Sequence, residues 1–430
     1  MHTKSALAAS VGGALEWYDF IVYGFFTEVL GRQFFPTSDE YVQHLLIFVI
    51  FAVGYIARTL GGLIFGHIGD KHGRSKSLTS TMLIGSVATI CMALMPSYAQ
   101  VGELASILFM LARMVQGLTI GANVSGAIVY ISELTTKKRR GFWVSTVFLG
   151  TQRGVLLAGF VSAFLLSYLS KEQLHVWGWR VAFLVGLVVM LLSLYAKDHL
   201  VETPYHLDLK TRNKILEYPV KSLFANYKVE IVLGICLSVI FSISLSFMFF
   251  YMPTFLRFYN FNQKEVLHVS FYNLFLFSAI LPLLGWLSDI LGPRKMLTAS
   301  IIVLVIVVYP CTGLILQHNI ILRYVGLTFL CVNLAAIATT IPVILSGLFP
   351  TAVRYTGVGF TYNVSQSFFV GVSPLLFAIM GHYLGSQQIA MSILFFIGGI
   401  ITLTALFCIN PELDWLHKKE NFDGKHHDSN

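Results

Sequence analysis

Apolar residues run in long blocks along this chain, and polar residues collect in short breaks between them. The runs lie near residues 8–30, 44–66, 78–96, 103–130, 142–168, 180–198, 229–256, 268–288, 297–316, 322–346, 357–383 and 389–409. Each is close to the roughly 20 apolar residues that a helix needs to cross a bilayer. No alternation over about ten residues, the mark of a membrane β-barrel, interrupts them. The pattern predicts an all-α membrane protein with twelve transmembrane helices. One long polar stretch, 198–228, divides them six and six. The expected parts are a first six-helix half over 1–197, a central loop over 198–228, a second half over 229–409 and a polar tail over 410–430.

One short pattern is written twice. Gly66-His-Ile-Gly-Asp70-Lys-His-Gly73-Arg74 follows the second run, and Gly285-Trp-Leu-Ser-Asp289-Ile-Leu-Gly292-Pro-Arg294 follows the eighth. The two Asp are 219 residues apart, near half of 430. A second pairing joins Glu133…Arg140 after the fourth run to Gly347…Arg354 after the tenth. A break that recurs at half-length implies a duplicated six-helix bundle with parallel halves. In such folds the binding site lies between the halves near the bilayer midplane.

Composition agrees. Hydrophobic residues make up 56%, charged residues 12%, and mean hydropathy is +0.73, whereas soluble domains carry about 25% charge. The net charge of +8 is a matter of topology and gives no reason to expect a nucleic-acid partner. With the N-terminus inside, 20 Lys and Arg fall in inner segments, 6 in outer segments and 3 within runs. This bias predicts a multi-pass protein with both termini cytoplasmic. The first run is broken by Glu16 and Asp19 and precedes no clear cleavage site, so it is read as a helix and not as a removed signal. Cys91, Cys236, Cys311, Cys331 and Cys408 all lie in apolar runs and read as buried hydrophobes. No Walker loop, metal cluster or nucleophile constellation is present in the sequence. The expectation is no enzyme, no cofactor and no ATP.

Charges inside a span are expensive, about 2.5–3.5 kcal/mol each, and mark function by default. Glu16 and Asp19 are three apart on one helix face. A carboxylate in a low-dielectric cavity is driven toward its neutral form by desolvation and toward its charged form by a nearby Arg. Asp19, with Glu16, is therefore the candidate for proton coupling; a structural ion pair with an Arg of the second or fourth span is the alternative. Arg113 suits an anionic substrate or a permanent partner for an acid, and Gln116, one turn on, can share either role. Arg58 is open to substrate contact or to an inter-helix pair. Arg153 either faces the cavity or anchors at an interface. Three Arg against two acids favour an organic anion. The second half offers neutral polar groups, namely Asn333, Asn363, Gln366 and Tyr251, as substrate contacts or as helix glue.

These residues resemble the major facilitator superfamily. Gly66…Asp70…Gly73-Arg74 is similar to its loop signature, and the second copy repeats it. Glu16-Trp-Tyr-Asp19-Phe, Arg58-x-x-Gly61-Gly62, Arg113-x-x-Gln116-Gly117-x-x-x-Gly121, Trp177-Gly-Trp-Arg180 and Phe349-Pro…Arg354 resemble the metabolite:proton symporters. That group includes proline/betaine, α-ketoglutarate, citrate and shikimate carriers. The resemblance implies gates at Asp70, Gly73, Arg74, Asp289, Arg140 and Arg354, a bacterial inner membrane, energy from a proton gradient, and a monomer with a small-molecule substrate. Family members usually carry Gly-Gly-Glu where this chain has Gly121-Ala122-Asn123, so Asn123 replaces a carboxylate in the expected site. The chain has no counterpart to the coiled-coil extension of the osmosensing proline/betaine carriers, which weighs against an osmosensor. The expected function is proton-coupled uptake of a small organic acid by alternating access. Uptake of a zwitterion such as proline or betaine is the alternative, and a membrane sensor that binds without transport is a second one.

Overall fold

A computed structural model describes residues 3–36, 40–317 and 319–410. Twelve long helical segments follow in order: α1 Thr3–Phe25, α2 Glu40–His72, α3 Arg74–Leu94, α4 Glu103–Leu134, α5 Arg140–Tyr168, α6 Trp179–Lys197, α7 Lys228–Phe258, α8 Gln263–Leu291, α9 Pro293–Ile315, α10 Ile320–Leu348, α11 Arg354–Tyr383 and α12 Gln387–Cys408. Nine of them satisfy length and hydropathy for a span among the described residues. Exposed Leu, Ile, Val and Phe cover the outside, as a lipid-facing surface requires.

Small residues set how closely the helices approach. In hydrocarbon no hydrophobic effect drives helices together, so backbone contact through small residues carries the association. Gly117 and Gly121 of α4 lie against the carbonyls of Gly54 and Arg58, where a Cβ would fall 2.3 and 2.0 Å from the oxygens. Gly150 and Gly154 of α5 receive the carbonyls of Ser10 and Ala14 in α1 in the same way.

The halves meet through two equivalent crossings. α2 packs on α11 and α5 packs on α8. Gly62 faces Gly359 in the first and Gly141 faces Gly285 in the second; a Cβ on any of the four would approach the opposing carbonyl within 2.4–2.7 Å. Second helix against fifth, and fifth against second, is the arrangement a duplicated bundle produces.

The repeated motif sits at helix ends and not in a loop. α2 continues through Asp70 to His72, and Gly73 breaks it at φ 114°. α8 continues through Asp289 to Leu291, and Gly292 breaks it at φ 88°. Only glycine adopts such values without strain. The reverse turn is thus one residue wide, and each Asp projects from the last turn of a helix. We call the side bearing these turns the basic face.

Two helices in the second half contain a π turn: Ser246–Tyr251 in α7 and Gln366–Val370 in α11. Each is followed by a proline, Pro253 and Pro374. Proline lacks the N–H that would bond the carbonyl four residues back. For Pro374 that carbonyl belongs to Val370, and Ser246 Oγ donates to it at 3.0 Å. The broken ladder is repaired from the neighbouring helix.

Candidate functional site

A chain of polar side chains crosses the first half. Thr89 Oγ1 of α3 donates to Asp19 Oδ2 of α1 at 2.6 Å. Gln116 Nε2 of α4 donates to Thr89 Oγ1 at 2.7 Å, and Arg113 Nη1 donates to Gln116 Oε1 at 2.8 Å. The Arg113 guanidinium lies 4.0 Å over the Tyr23 ring. All four linked side chains are buried. Asp19 and Arg113 form no direct ion pair among the described residues; two neutral groups relay between them. Asp19 Oδ1 accepts no hydrogen bond from them either.

Arg58 of α2 forms a second centre. Its guanidinium lies 5.6 Å from the Trp17 ring and 5.2 Å from the Tyr55 ring. Tyr55 is hydrogen-bonded to it, and Tyr362 of α11 is near enough to feel its charge. Arg58 is buried and pairs with no carboxylate among the described residues. Trp17 also lines a cavity of about 300 Å³ between the halves, walled by α1, α5, α7 and α8 with Gln152, Leu156, Phe249 and Phe271. Ile21, Leu245 and Phe250 pack against the cluster formed by Tyr55, Ile120 and Val370 and line the same cavity. Through Trp17, Arg58 is one aromatic ring away from this cavity, whose lining lies on the stretches of α1 and α8 farther from the basic face.

The other candidate residues are placed differently. Asn123 is buried within the first half, its Nδ2 3.4 Å from Thr81 Oγ1. Arg153 is exposed and shares the outer stripe of α5 with Leu157, Phe160 and Phe164. Gln152, a 100° rotation away, takes the cavity side in its place. Tyr251 is buried in the second half, donating to Gln387 Oε1 at 2.8 Å and packing on Phe377. Asn333 Nδ2 bonds the Phe329 carbonyl of its own helix at 2.8 Å. Asn363 Nδ2 reaches both Gly121 O and Gly359 O at 2.7 Å, joining α11 to α4 across the halves. Gln366 is buried at the start of the α11 π turn, and its Nε2 has no hydrogen bond among the described residues. Glu16 is on α1, with its side chain outside the described set.

At the basic face the residues expected to act as gates meet. Asp70 accepts from the backbone N–H of Tyr355 at 3.1 Å and of Thr356 at 2.9 Å, and from Thr356 Oγ1 at 2.7 Å. Asp289 accepts from the N–H of Gly141 at 2.6 Å and of Phe142 at 2.9 Å. Each motif Asp thus caps the first turn of a helix in the other half, satisfying orphan donors and the positive end of the helix dipole. Between the caps, Glu133 receives Arg74 at 3.2 Å and Arg354 at 2.7 Å. Arg74 also pairs with Asp70 at 3.2 Å and donates to Thr351 O at 2.6 Å. Arg140 holds the end of α4 through Ser132 O at 3.1 Å.

The central stretch adds a third layer. Thr203 Oγ1 donates to Glu133 Oε2 at 2.6 Å, and Arg74 Nη1 lies 2.7 Å from His206 Nδ1. Burial and the adjacent Arg74 push His206 down to about 4, so near neutral pH its ring is uncharged and accepts from the guanidinium. Burial raises the Glu202 carboxyl, which caps α3 through the N–H of Arg74 and Ser75.

Sequence reasoning missed Thr89, Glu133 as a hub, Glu202 and His206. A threonine in an apolar run gives no signal until α3 packs on α1. Glu133 was visible only as the start of a basic loop.

A membrane bundle in two equivalent halves, joined at one face and enclosing a cavity between them away from it, with a carboxylate and guanidinia buried inside, has the form of an alternating-access transporter. Residues 10–368 match the Major Facilitator Superfamily model, and the chain belongs to that family. It is 33% identical over 390 residues to the proline/betaine transporter of Salmonella typhimurium, covering 87% of this chain and 77% of that one. It is 31% identical to the glycine betaine/proline/ectoine/pipecolic acid transporter OusA of Dickeya dadantii, covering 94% and 82%. Among solved structures, the proton:xylose symporter XylE bound to 6-bromo-6-deoxy-D-glucose shares the fold, with TM-score 0.77, 18% identity and coverage of 95% and 96%.

Proposed function

We propose that this transporter takes up a small zwitterion of the proline/betaine class together with a proton. The observation that carries this reading is Arg58, a buried guanidinium without a carboxylate partner among the described residues, set between aromatic rings beside the cavity. A guanidinium takes a carboxylate by two parallel bonds. Aromatic faces take a quaternary or secondary ammonium by cation–π attraction. One compact zwitterion uses both. The names of the similar carriers support it. The organic-acid reading keeps one observation in its favour: Arg58 and Arg113 are both buried, whereas Asp19 is the one buried acid of these two centres among the described residues.

Asp19 is the proposed proton site. Its Oδ1 is free to hold a proton while Thr89 keeps Oδ2 in place. With the basic face cytoplasmic, the latched arrangement is outward-facing. Substrate and proton enter from outside, the caps at Asp70 and Asp289 release, and the halves rock to open inward.

The test is competition in binding. Purified protein should bind labelled glycine betaine, and proline should displace it whereas citrate and α-ketoglutarate should not. Arg58→Gln should weaken betaine binding by tenfold or more, in line with the loss of a charge-assisted hydrogen bond of about 1.5–3 kcal/mol. Displacement by citrate or α-ketoglutarate, with none by proline, would return the organic-acid reading.

A further inference from the structure

The basic face carries a second cavity, of about 340 Å³. Lys137 and Arg140 of the first half and Arg294 and Lys295 of the second line it, together with Asp289. The Asp289 carboxylate is committed to the α5 cap. Lys137 and Lys295 are exposed and form no ion pair among the described residues. The remaining wall is apolar, with Leu291, Val343, Ile344 and Ile409.

The duplication allows an internal comparison. In the first copy, the helix after Gly73 begins under the Glu202 carboxylate, 3.0 Å from the Arg74 N–H. A Cβ on Gly73 would lie 2.3 Å from Glu202 Oε2, whereas one on Gly292 would meet nothing described within 4 Å. The two places are in register: Ser75 Oγ donates to Leu200 O at 2.7 Å, and Arg294 Nη1 donates to Ile409 O at 2.7 Å. The first copy holds an anion at this position on the N–H groups of Arg74 and Ser75. In the second, Pro293 stands in Arg74's place and has no N–H, so of that pair of donors the Arg294 N–H remains, and four cations drawn from both halves line the position.

We propose that this cavity binds a phosphate group, and that the bound phosphate ties Lys137 and Arg140 to Arg294 and Lys295 and so holds the basic face shut. A basic pocket between helices at this level of a membrane suits an anionic phospholipid headgroup. The apolar wall, beside the exposed Ile290 and Leu291 of α8, gives acyl chains a way out. A soluble phosphate shares the same chemistry. The inference rests on neither Asp19 nor Arg58 and stands whatever the substrate.

The experiment uses the full chain, delipidated in neutral detergent, and follows thermal unfolding. Dioleoyl-phosphatidylglycerol, dioleoyl-phosphatidylcholine and inorganic phosphate are titrated separately against the parent and a Lys137→Gln/Lys295→Gln double variant. Both lysines are exposed, so the variant should unfold like the parent without ligand. Phosphatidylglycerol should raise Tm saturably in the parent, and phosphatidylcholine should not. The variant should need about 30-fold more phosphatidylglycerol for half-effect, at roughly fivefold per lysine. An equal effect of inorganic phosphate would support the site and assign it a soluble ligand. Equal behaviour of parent and variant, or of the two lipids, would overturn the proposal.

Discussion

At Asp19 the two carboxylate oxygens have different surroundings. One is fixed by Thr89 at 2.6 Å, and the other meets no donor among the described residues. A proton carrier needs this combination of a fixed orientation and an available oxygen. Asp19→Asn should abolish accumulation driven by a pH gradient while leaving counterflow of preloaded substrate within about twofold, read in the same vesicles. Thr89→Val should lower the initial uptake rate tenfold or more at matched expression, since hydrogen bonds to charged groups contribute about 1.5–3 kcal/mol. His206 gives a pH prediction. Its value in the latched state, about 4, lies below the ordinary 6.5, so the latched state binds that proton more weakly than a state in which His206 meets water. Its contribution to the latch is therefore complete above pH 6.5 and is lost as pH falls from 6.5 toward 4. Thermal unfolding followed across that window should show a falling Tm that His206→Gln flattens. Asp19, Arg113 and Gln116 were legible because polar groups stand out in apolar runs. Thr89 and His206 were not, because their roles exist only through partners 70 and 132 residues away.

At the scale of elements, glycines decide whether the basic face can close. Gly62 against Gly359 and Gly141 against Gly285 bring backbones within reach of each other's carbonyls. Gly62→Leu or Gly141→Leu should hold these crossings apart, cut uptake tenfold or more, and raise thiol labelling of cysteines placed on the basic-face side of the interface. Unchanged uptake with either leucine would contradict the packing account. The number of helices was readable from apolar run length alone. Their ends were not: α2 was expected to stop near residue 66, yet it runs to His72. Polar residues close the hydrophobic signal without ending a helix, and only a breaker such as Gly73 does so. The π turns of α7 and α11 were invisible as well, although Pro253 and Pro374, which follow them, are plain in the sequence.

The whole molecule reads as two copies of one bundle whose closed face is held by a charge hub. The duplication was legible from the Asp70 and Asp289 motifs, and the cross-half caps give those motifs a mechanical reason. Glu133 lies at the centre and offsets Arg74 and Arg354 together. Glu133→Gln leaves buried guanidinia without that offset, a loss of the kind that destabilises by about 3–5 kcal/mol. It should shift the protein toward the state open at the basic face, seen as reduced labelling of a cysteine placed in the cavity beside Trp17. Closure of this face, a proton at Asp19 and a zwitterion at Arg58 are proposed to belong to one cycle. The most direct measurement is uptake of labelled glycine betaine or proline by proteoliposomes under an inside-alkaline pH gradient, with and without a protonophore. The account predicts accumulation above equilibrium that the protonophore abolishes and that Asp19→Asn never develops. Accumulation that is indifferent to the protonophore, or full accumulation by Asp19→Asn, would contradict it.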